Sequence, residues 1–383
     1  MIPSKFKEYL PIYGNITKMN IQVHVRAHVY LCKLTKLTPF HWDSENGNVK
    51  AKKPGCEFGK WLVYAAQLTM AIHMLYEMVS NSNRVNGTEN YYILVRVFFL
   101  VVMSGAYIYH HHVWSDTEGL SALFNGIVHN FDKLEIGNLK TKAVSGIFRF
   151  MMVSQLITTF GFAILTIACP DLPPFLSSLL PQTGTWYTFI LRDVLIIIQV
   201  WVMTTILCHG FLIWCCVVLC NSTVYLGLKF LRMNNSKGCI RVYQNIQLIT
   251  TYTNFQFQNS IQLSITIVSI AVTILSTSAA MKFHGMMPSS FLFAIIMSSV
   301  NALLVSTFNS MIQGKLNWMS KSLLHNWKRN QARSLGIWGQ KTVKAMKDIR
   351  MQFGTGNFFE KSTCLVIMEF QIEQIVNVLL LTN

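Results

Sequence analysis

The stretch 362–381, STCLVIMEFQIEQIVNVLLL, decides how this chain is read. It holds no proline, glycine or basic residue, and as a helix it rises about 30 Å, the thickness of a bilayer's hydrocarbon core. Yet Glu369, Gln371, Glu373, Gln374 and Asn377 sit in its middle and second half. At about 100° per residue, Ser362, Val366, Glu369, Glu373, Val376, Asn377 and Leu380 share one face, with two carboxylates one turn apart. Ionisable groups at membrane depth cost about 2.5–3.5 kcal/mol each on insertion scales, so they turn to a bundle interior or to water. Two readings follow. Several copies of this helix around an axis would stack the carboxylates into rings that attract cations, with Asn377 on the same wall and Val366, Val376 or Leu380 as a dewetting gate. Alternatively, the pair is hydrogen-bonded within a bundle, or the helix end lies shallower.

The rest of the chain supports the membrane reading. Of 383 residues, 52% are hydrophobic and only 13% charged, whereas about a quarter are charged in soluble domains. Apolar windows long enough to cross a bilayer fall at approximately 61–79, 92–112, 148–169, 187–210, 260–281, 290–311 and 362–381, which makes seven spans. Helix is the only open structure that satisfies its own backbone in lipid, and the alternating pattern of a membrane barrel is absent. The expected fold is therefore an all-α membrane protein.

Charge sets the orientation. Of 32 Lys and Arg residues, 26 fall in residues 1–60, 115–147, 227–258 and 315–350, while the intervening loops hold only Arg84 and Lys282. Positive residues near a span resist translocation. This predicts a cytosolic N-terminus and, with seven spans, an extracellular C-terminus. The absence of a signal-peptide pattern before the first span agrees. So does Asn86-Gly87-Thr88, a glycosylation triplet in the first outer loop. The net charge of +16 follows from this bias and draws the inner segments to anionic lipid headgroups. No nucleic-acid-binding module frames the charges, so no nucleic-acid partner is expected.

The inner segments read as helical extensions rather than loose loops. Trp186 to Leu231 runs without a proline, about 69 Å as one helix. Ile240 to Gln258 is amphipathic, and the sixth span continues through Lys315, Trp318, Leu323, Leu324 and Trp327. Val343, Met346 and Ile349 at helical spacing predict a further helix over 340–350, which Gly354 and Gly356 end. The tryptophans Trp318, Trp327 and Trp338 read as packing residues of this layer. The expected division is a cytosolic segment 1–60, six spans with extensions of the fourth and fifth over 61–311, cytosolic anchor helices over 312–355, and the pore-lining helix over 356–383.

Other polar groups are less specific. Arg96, Trp186, Tyr187 and Arg192 lie in the outer halves of the second and fourth spans, where they either line a small-molecule pocket or snorkel and form an interface belt. The run His110-His111-His112 lacks the further spaced histidines of a metal box and reads as an interfacial patch. Cys208, Cys215, Cys216 and Cys220 read as small apolar packing residues, with Cys169 alone near the outer surface. No nucleophile triad or phosphate loop is apparent, so no enzyme, metal or cofactor is expected.

Seven spans, long inner extensions, a basic segment before a short polar last span, and almost no tail resemble the arthropod gustatory and odorant receptor superfamily. That family carries Thr-Tyr, five apolar residues, then Gln-Phe in its seventh span. Here Ser362-Thr363, Cys364 to Met368 and Glu369-Phe370 stand in that pattern, with Phe370 identical. The stretch Met346 to Glu360, ending Gly354-Thr355-Gly356-Asn357-Phe358-Phe359-Glu360, is similar to the corresponding segment of divergent gustatory-like receptors. The resemblance implies a chemosensory, ligand-gated, non-selective cation channel in the plasma membrane, opened by a small extracellular tastant or odorant. It further implies a homo- or hetero-tetramer held by the anchor layer, with four seventh helices around one pore. A G-protein-coupled receptor would need an external N-terminus, an Asp-Arg-Tyr-like triplet and an Asn-Pro-x-x-Tyr motif, none of which is found. A transporter would favour repeated spans, and none is evident.

Overall fold

The computed structural model describes residues 39–43, 48–51, 57–80, 87–133, 161, 164, 166–167, 175–180, 186–233, 239–287, 289–331 and 336–381. Among the described residues, two short strands, β1 (Phe40–Asp43) and β2 (Asn48–Ala51), precede nine continuous helices: α1 (Glu57–Ser80), α2 (Gly87–Ser115), α3 (Thr117–Lys133), α4 (Trp186–Met233), α5 (Cys239–Phe257), α6 (Ile261–Phe283), α7 (Ser289–Asn326), α8 (Gly336–Ala345) and α9 (Thr363–Leu381). A single 3₁₀ turn, Leu176–Leu179, lies before α4, and a π turn, Trp327–Gln331, follows α7.

Among the described residues, six helices are long and apolar enough to cross a membrane, and they match six of the expected spans. The protein is a multi-pass membrane protein. The third expected span falls outside the described residues except for 161, 164, 166 and 167, which are helical. Cys169 and the glycosylation candidate Asn86 also lie outside them.

Two apolar cores divide the molecule along its length. One lies in the span layer, where Met70 and Met74 of α1, Phe98, Phe99 and Met103 of α2, Val202 and Ile206 of α4, Phe283 of α6 and Phe291 of α7 are buried together with Phe175 and Leu176. The other lies in the extension layer, built on Phe211 to Leu231 of α4, Tyr243 to Phe257 of α5, and Leu316 to Leu324 of α7. Helix α4, at 48 residues, is about 72 Å long and serves both cores. Small residues allow close helix crossings in lipid. At Gly105 of α2, an added Cβ would lie 3.0 Å from both γ-methyls of Val268 on α6.

The structure departs from the sequence reading in three places. The hairpin β1–β2 pairs Phe40 with Ala51 and Asp43 with Asn48, within a segment read as mixed and basic. It is held by α3: the Asn125 amide donates to the Val49 carbonyl at 2.8 Å and accepts from the Val49 N–H at 2.9 Å, as a third strand would. Helix α8 ends at Ala345, short of the helix expected over 340–350. Val343, Met346 and Ile349 are all buried, but the chain beyond α8 is extended because side chains supply its hydrogen bonds. Tyr243 Oη donates to the Lys347 carbonyl at 2.9 Å, Ser320 Oγ accepts the Ile349 N–H at 2.7 Å, and Asn254 pairs with Arg350 and Gln352. Finally, Trp327 packs edge-on against Tyr243, while Trp318 and Trp338 are exposed rather than packed.

Candidate functional site

Helix α9 follows a tight turn. Gly354 and Gly356 both have positive φ, 64° and 86°, a region that L side chains avoid, and the Gly354 N–H donates to the Gln258 carbonyl at 2.7 Å. Two residues later the chain returns along its own path, with the Phe359 N–H bonded to the Met351 carbonyl. Thr363 Oγ1 accepts the Glu360 N–H at 2.8 Å, and the Ser362 carbonyl accepts the Leu365 and Val366 N–H groups, which closes the first turn.

Along α9 only Ile367 and Gln371 are buried. They pack towards α6 and α7, where Gln371 Nε2 donates to Ser306 Oγ at 3.3 Å. Glu369 and Glu373 stand about 200° and 240° around the helix from Ile367. Those two carboxylates are exposed, and so are Val366, Val376, Asn377 and Leu380. The whole polar face singled out in the sequence is thus turned away from the rest of the chain. Gln371, on the opposite side of the helix beside Ile367, is the polar residue that ties it to the bundle.

Behind α9 runs a buried polar seam. Gln262 of α6 donates to Gln313 Oε1 at 2.9 Å, and Gln313 donates to Asn309 Oδ1 at 2.9 Å. Thr266 and Thr273 on α6 and Ser310 on α7 return their hydroxyls to the carbonyl one turn earlier, which satisfies them without a partner helix. At the inner end of the seam, α7 meets the turn before α9 backbone to backbone. A Cβ at Gly314 would collide with the Glu360 carbonyl oxygen, with its carbon 2.6 Å and the Lys361 nitrogen 3.0 Å away.

The other candidate residues are spread out. Arg96, buried, donates to the Glu77 carboxylate at 3.0 Å and the Glu77 carbonyl at 3.1 Å, an ion pair joining α1 to α2. Trp186 and Tyr187 stack with centroids 3.6 Å apart and are exposed, and Arg192 is half-buried on the next turns of α4. The three histidines take three different partners: His110 meets His209 Nδ1 to Nδ1 at 3.0 Å, His111 meets Tyr64 Oη at 3.2 Å, and His112 meets Ser260 Oγ at 3.4 Å. Among the described residues, no group of three or more His, Cys, Asp or Glu side chains is placed to hold a metal. The four α4 cysteines are buried, and Cys220 Sγ meets Thr253 Oγ1 at 3.1 Å.

The span-layer core holds an arrangement that the sequence does not announce. Phe99 stacks on Phe291 and meets Phe175 edge-on, each at 6.4 Å. Beside them Gln199, fully buried, accepts the Leu176 N–H at 3.4 Å through Oε1, while its Nε2 has no hydrogen-bond partner. Three rings and one unmatched amide donor thus lie together in this core.

No family model matches the chain, and neither does any curated protein. Solved structures do. The insect olfactory receptor OR5 from Machilis hrabei superposes with a TM-score of 0.63 at 9% identity, covering 94% of this chain and 99% of that one. The same receptor in complex with eugenol gives 0.62 at 9% identity, covering 93% and 97%. The chain has the fold of an insect olfactory receptor. At 9% identity this olfactory-receptor fold is kept by patterning and packing, not by shared side chains. Within it stand the seam behind α9, the Gly314 contact and the cluster around Gln199. Of these, only the seam leaves a trace in the sequence, as Gln, Ser, Thr and Asn recurring at helical spacing along 262–276 and 306–317.

Proposed function

We propose that the chain is a chemosensory receptor acting as a ligand-gated, non-selective cation channel, with α9 lining a pore shared among copies. One observation carries the reading: Glu369 and Glu373 are exposed on a membrane-length helix, on the face opposite the one that packs on its own subunit. Facing lipid, each would cost about 2.5–3.5 kcal/mol. Facing a water-filled axis formed with other copies, they concentrate cations, and Val366, Val376 and Leu380 on the same face provide the constriction. A tetramer with its N-termini in the cytosol fits the Lys and Arg distribution and the extension layer, which offers surface for subunit contact. The ligand is a small organic molecule, in keeping with the eugenol-bound relative in fold, and the box of Phe99, Phe175, Phe291 and Gln199 is its candidate site beside Arg96, Trp186, Tyr187 and Arg192. Asn86, in the first loop, is the candidate glycosylation site.

Cation currents of Glu369→Gln and Glu373→Gln variants test the pore. Lower cation-over-anion permeability and altered block by divalent cations are expected from either. Permeability and block identical to the native chain in both variants would remove the acidic rings. An N-terminal tag that antibodies reach on intact cells would overturn the orientation.

A further inference from the structure

At the foot of α9, this helix and α7 enclose an open cleft of about 390 Å³, within the range of ligand sites. Leu365, 69% exposed on its wall, stands in line with Glu369 and Glu373, one and two turns further along α9. The cleft therefore opens at the base of the outward face. That face borders water in the reading proposed above, on which the present inference rests. The occupant is then a soluble molecule from the side where Lys and Arg gather.

Charge narrows its class. Two ammonium groups line the cleft, and each rests on an aromatic ring: Lys361 Nζ is 5.6 Å from the Trp318 ring, and Lys321 Nζ is 5.7 Å from the Phe358 ring. Such contacts are weak where exposed and give way to an anion, which offers charge-assisted hydrogen bonds. Glu360 also lines the cleft, so the side chains leave one net positive charge, to which the N-terminal end of α9 adds its dipole. A phosphate monoester, with about 1.5–2 negative charges at pH 7, matches this field. A triphosphate overfills it and is repelled by Glu360.

A second, independent observation is Asn317, on the cleft wall and 2% exposed. Its amide nitrogen donates to the Phe359 carbonyl at 3.2 Å, an acceptor that admits only the NH₂ end. This leaves Oδ1 buried without a partner, an acceptor for a hydroxyl. Trp318 adds a flat apolar surface, 47% exposed. Once Lys361 turns to a phosphate, that ring is open to a planar group, since any nucleobase offers a π-face for stacking. Leu365 supplies a further apolar wall.

We propose that the cleft between α7 and the start of α9 binds a soluble nucleoside 5′-monophosphate. Lys321 and Lys361 hold the phosphate, a ribose hydroxyl donates to Asn317 Oδ1, and the base stacks on Trp318 beside Leu365. A sugar phosphate leaves both apolar walls bare, and a nucleoside leaves the lysines on their rings, so each part alone binds more weakly than the whole. The site adjoins the Gly314 contact, and an occupied cleft braces the turn from which α9 departs.

The test uses the full chain purified into phosphatidylcholine bilayer discs, with AMP as the probe, read as radiolabelled AMP bound and as the shift in melting temperature. Trp318→Leu should weaken AMP binding about tenfold through lost stacking. Lys361→Gln should weaken it about tenfold, and Lys321→Gln with Lys361→Gln about 100-fold, from one and two hydrogen bonds to a charged group. The Lys321→Arg, Lys361→Arg pair should keep the affinity. Adenosine and ribose 5-phosphate should each bind at least about tenfold more weakly than AMP, and ATP no more tightly. Unchanged affinity in the glutamine pair, ribose 5-phosphate as effective as AMP, ATP tighter than AMP, or no binding at millimolar AMP would each overturn the proposal. If the glutamine pair does not assemble, Lys361→Gln and Trp318→Leu decide at the tenfold level. No current is measured: a chain that binds AMP but conducts nothing refutes the pore alone, and one that conducts but binds no AMP refutes the cleft alone.

Discussion

Replacing Gly314 by alanine tests how α7 is coupled to α9. Carbon atoms pack at about 3.5–4.0 Å, and the new methyl would lie 2.6 Å from the Glu360 carbon and closer still to its carbonyl oxygen. Because the obstacle is backbone, no rotamer relieves it. The turn must retreat by about 1 Å, which stretches the Asn317 bond to Phe359 and tilts the start of α9. Overpacking of this kind costs about 1–3 kcal/mol, and the better helix propensity of alanine returns about 1 kcal/mol. A net loss of about 0–2 kcal/mol is expected in thermal unfolding of the purified protein, with a displaced ligand dose–response in whole-cell current. Gly285→Ala, where an added Cβ meets nothing within 4 Å, is the control and should leave both unchanged. A Gly314→Ala receptor that melts and responds as the native chain does would refute the contact and the coupling drawn from it.

Three further outcomes are expected. Asn254→Ala removes both bonds to the extended strap and leaves a half-buried carbonyl and N–H unmatched, so it should destabilise by about 1–3 kcal/mol, read as a lower melting temperature with normal membrane insertion. Gln199→Leu deletes an amide whose Nε2 is already unpartnered. It should lower the response to hydroxyl- or ether-bearing ligands and cost about 1–3 kcal/mol by leaving the Leu176 N–H unmatched, and dose–response curves against melting temperature separate the two effects. At Asp348, burial pushes the carboxyl up, but the Arg350 hydrogen bond and charge, a backbone hydrogen bond and the charge of Lys321 together outweigh it and hold it below 3.8. A carboxyl lowered in the fold adds stability above its unfolded value that fades as pH falls through its folded one. Melting curves of the native chain and Asp348→Asn should therefore differ at pH 6 and converge below pH 3.8, and a constant difference would count against the ion pair.

How much was legible depended on the physical term involved. Burial of an apolar stripe over about 20 residues is a property of a contiguous stretch, and so the last span, the long fourth helix and the inner extensions could be read directly. The helix over 340–350 was misplaced because Val343, Met346 and Ile349 are buried on any path. What ends α8 is the supply of hydrogen bonds from Tyr243, Asn254 and Ser320, which stand 25 or more residues away in sequence. The hairpin depends in the same way on one amide, Asn125. Trp318 looked like core by composition, but its place at the cleft is set by the angle between α7 and α9.

By itself the sequence determined that this is a helical membrane protein, the positions of six of its spans, and an acidic face on the last one. These follow from solvent transfer and helical period, which act residue by residue along the chain. Only the tertiary structure decided which way that face points, because Ile367 and Gln371 choose the side that docks on α6 and α7 and leave Glu369 and Glu373 facing outward. It also decided that Phe99, Phe175, Phe291 and Gln199 meet, that Gly314 touches the turn before α9, and that two lysines and a tryptophan share one cleft. Each is a contact between distant segments, and its energy exists only once packing has brought them together.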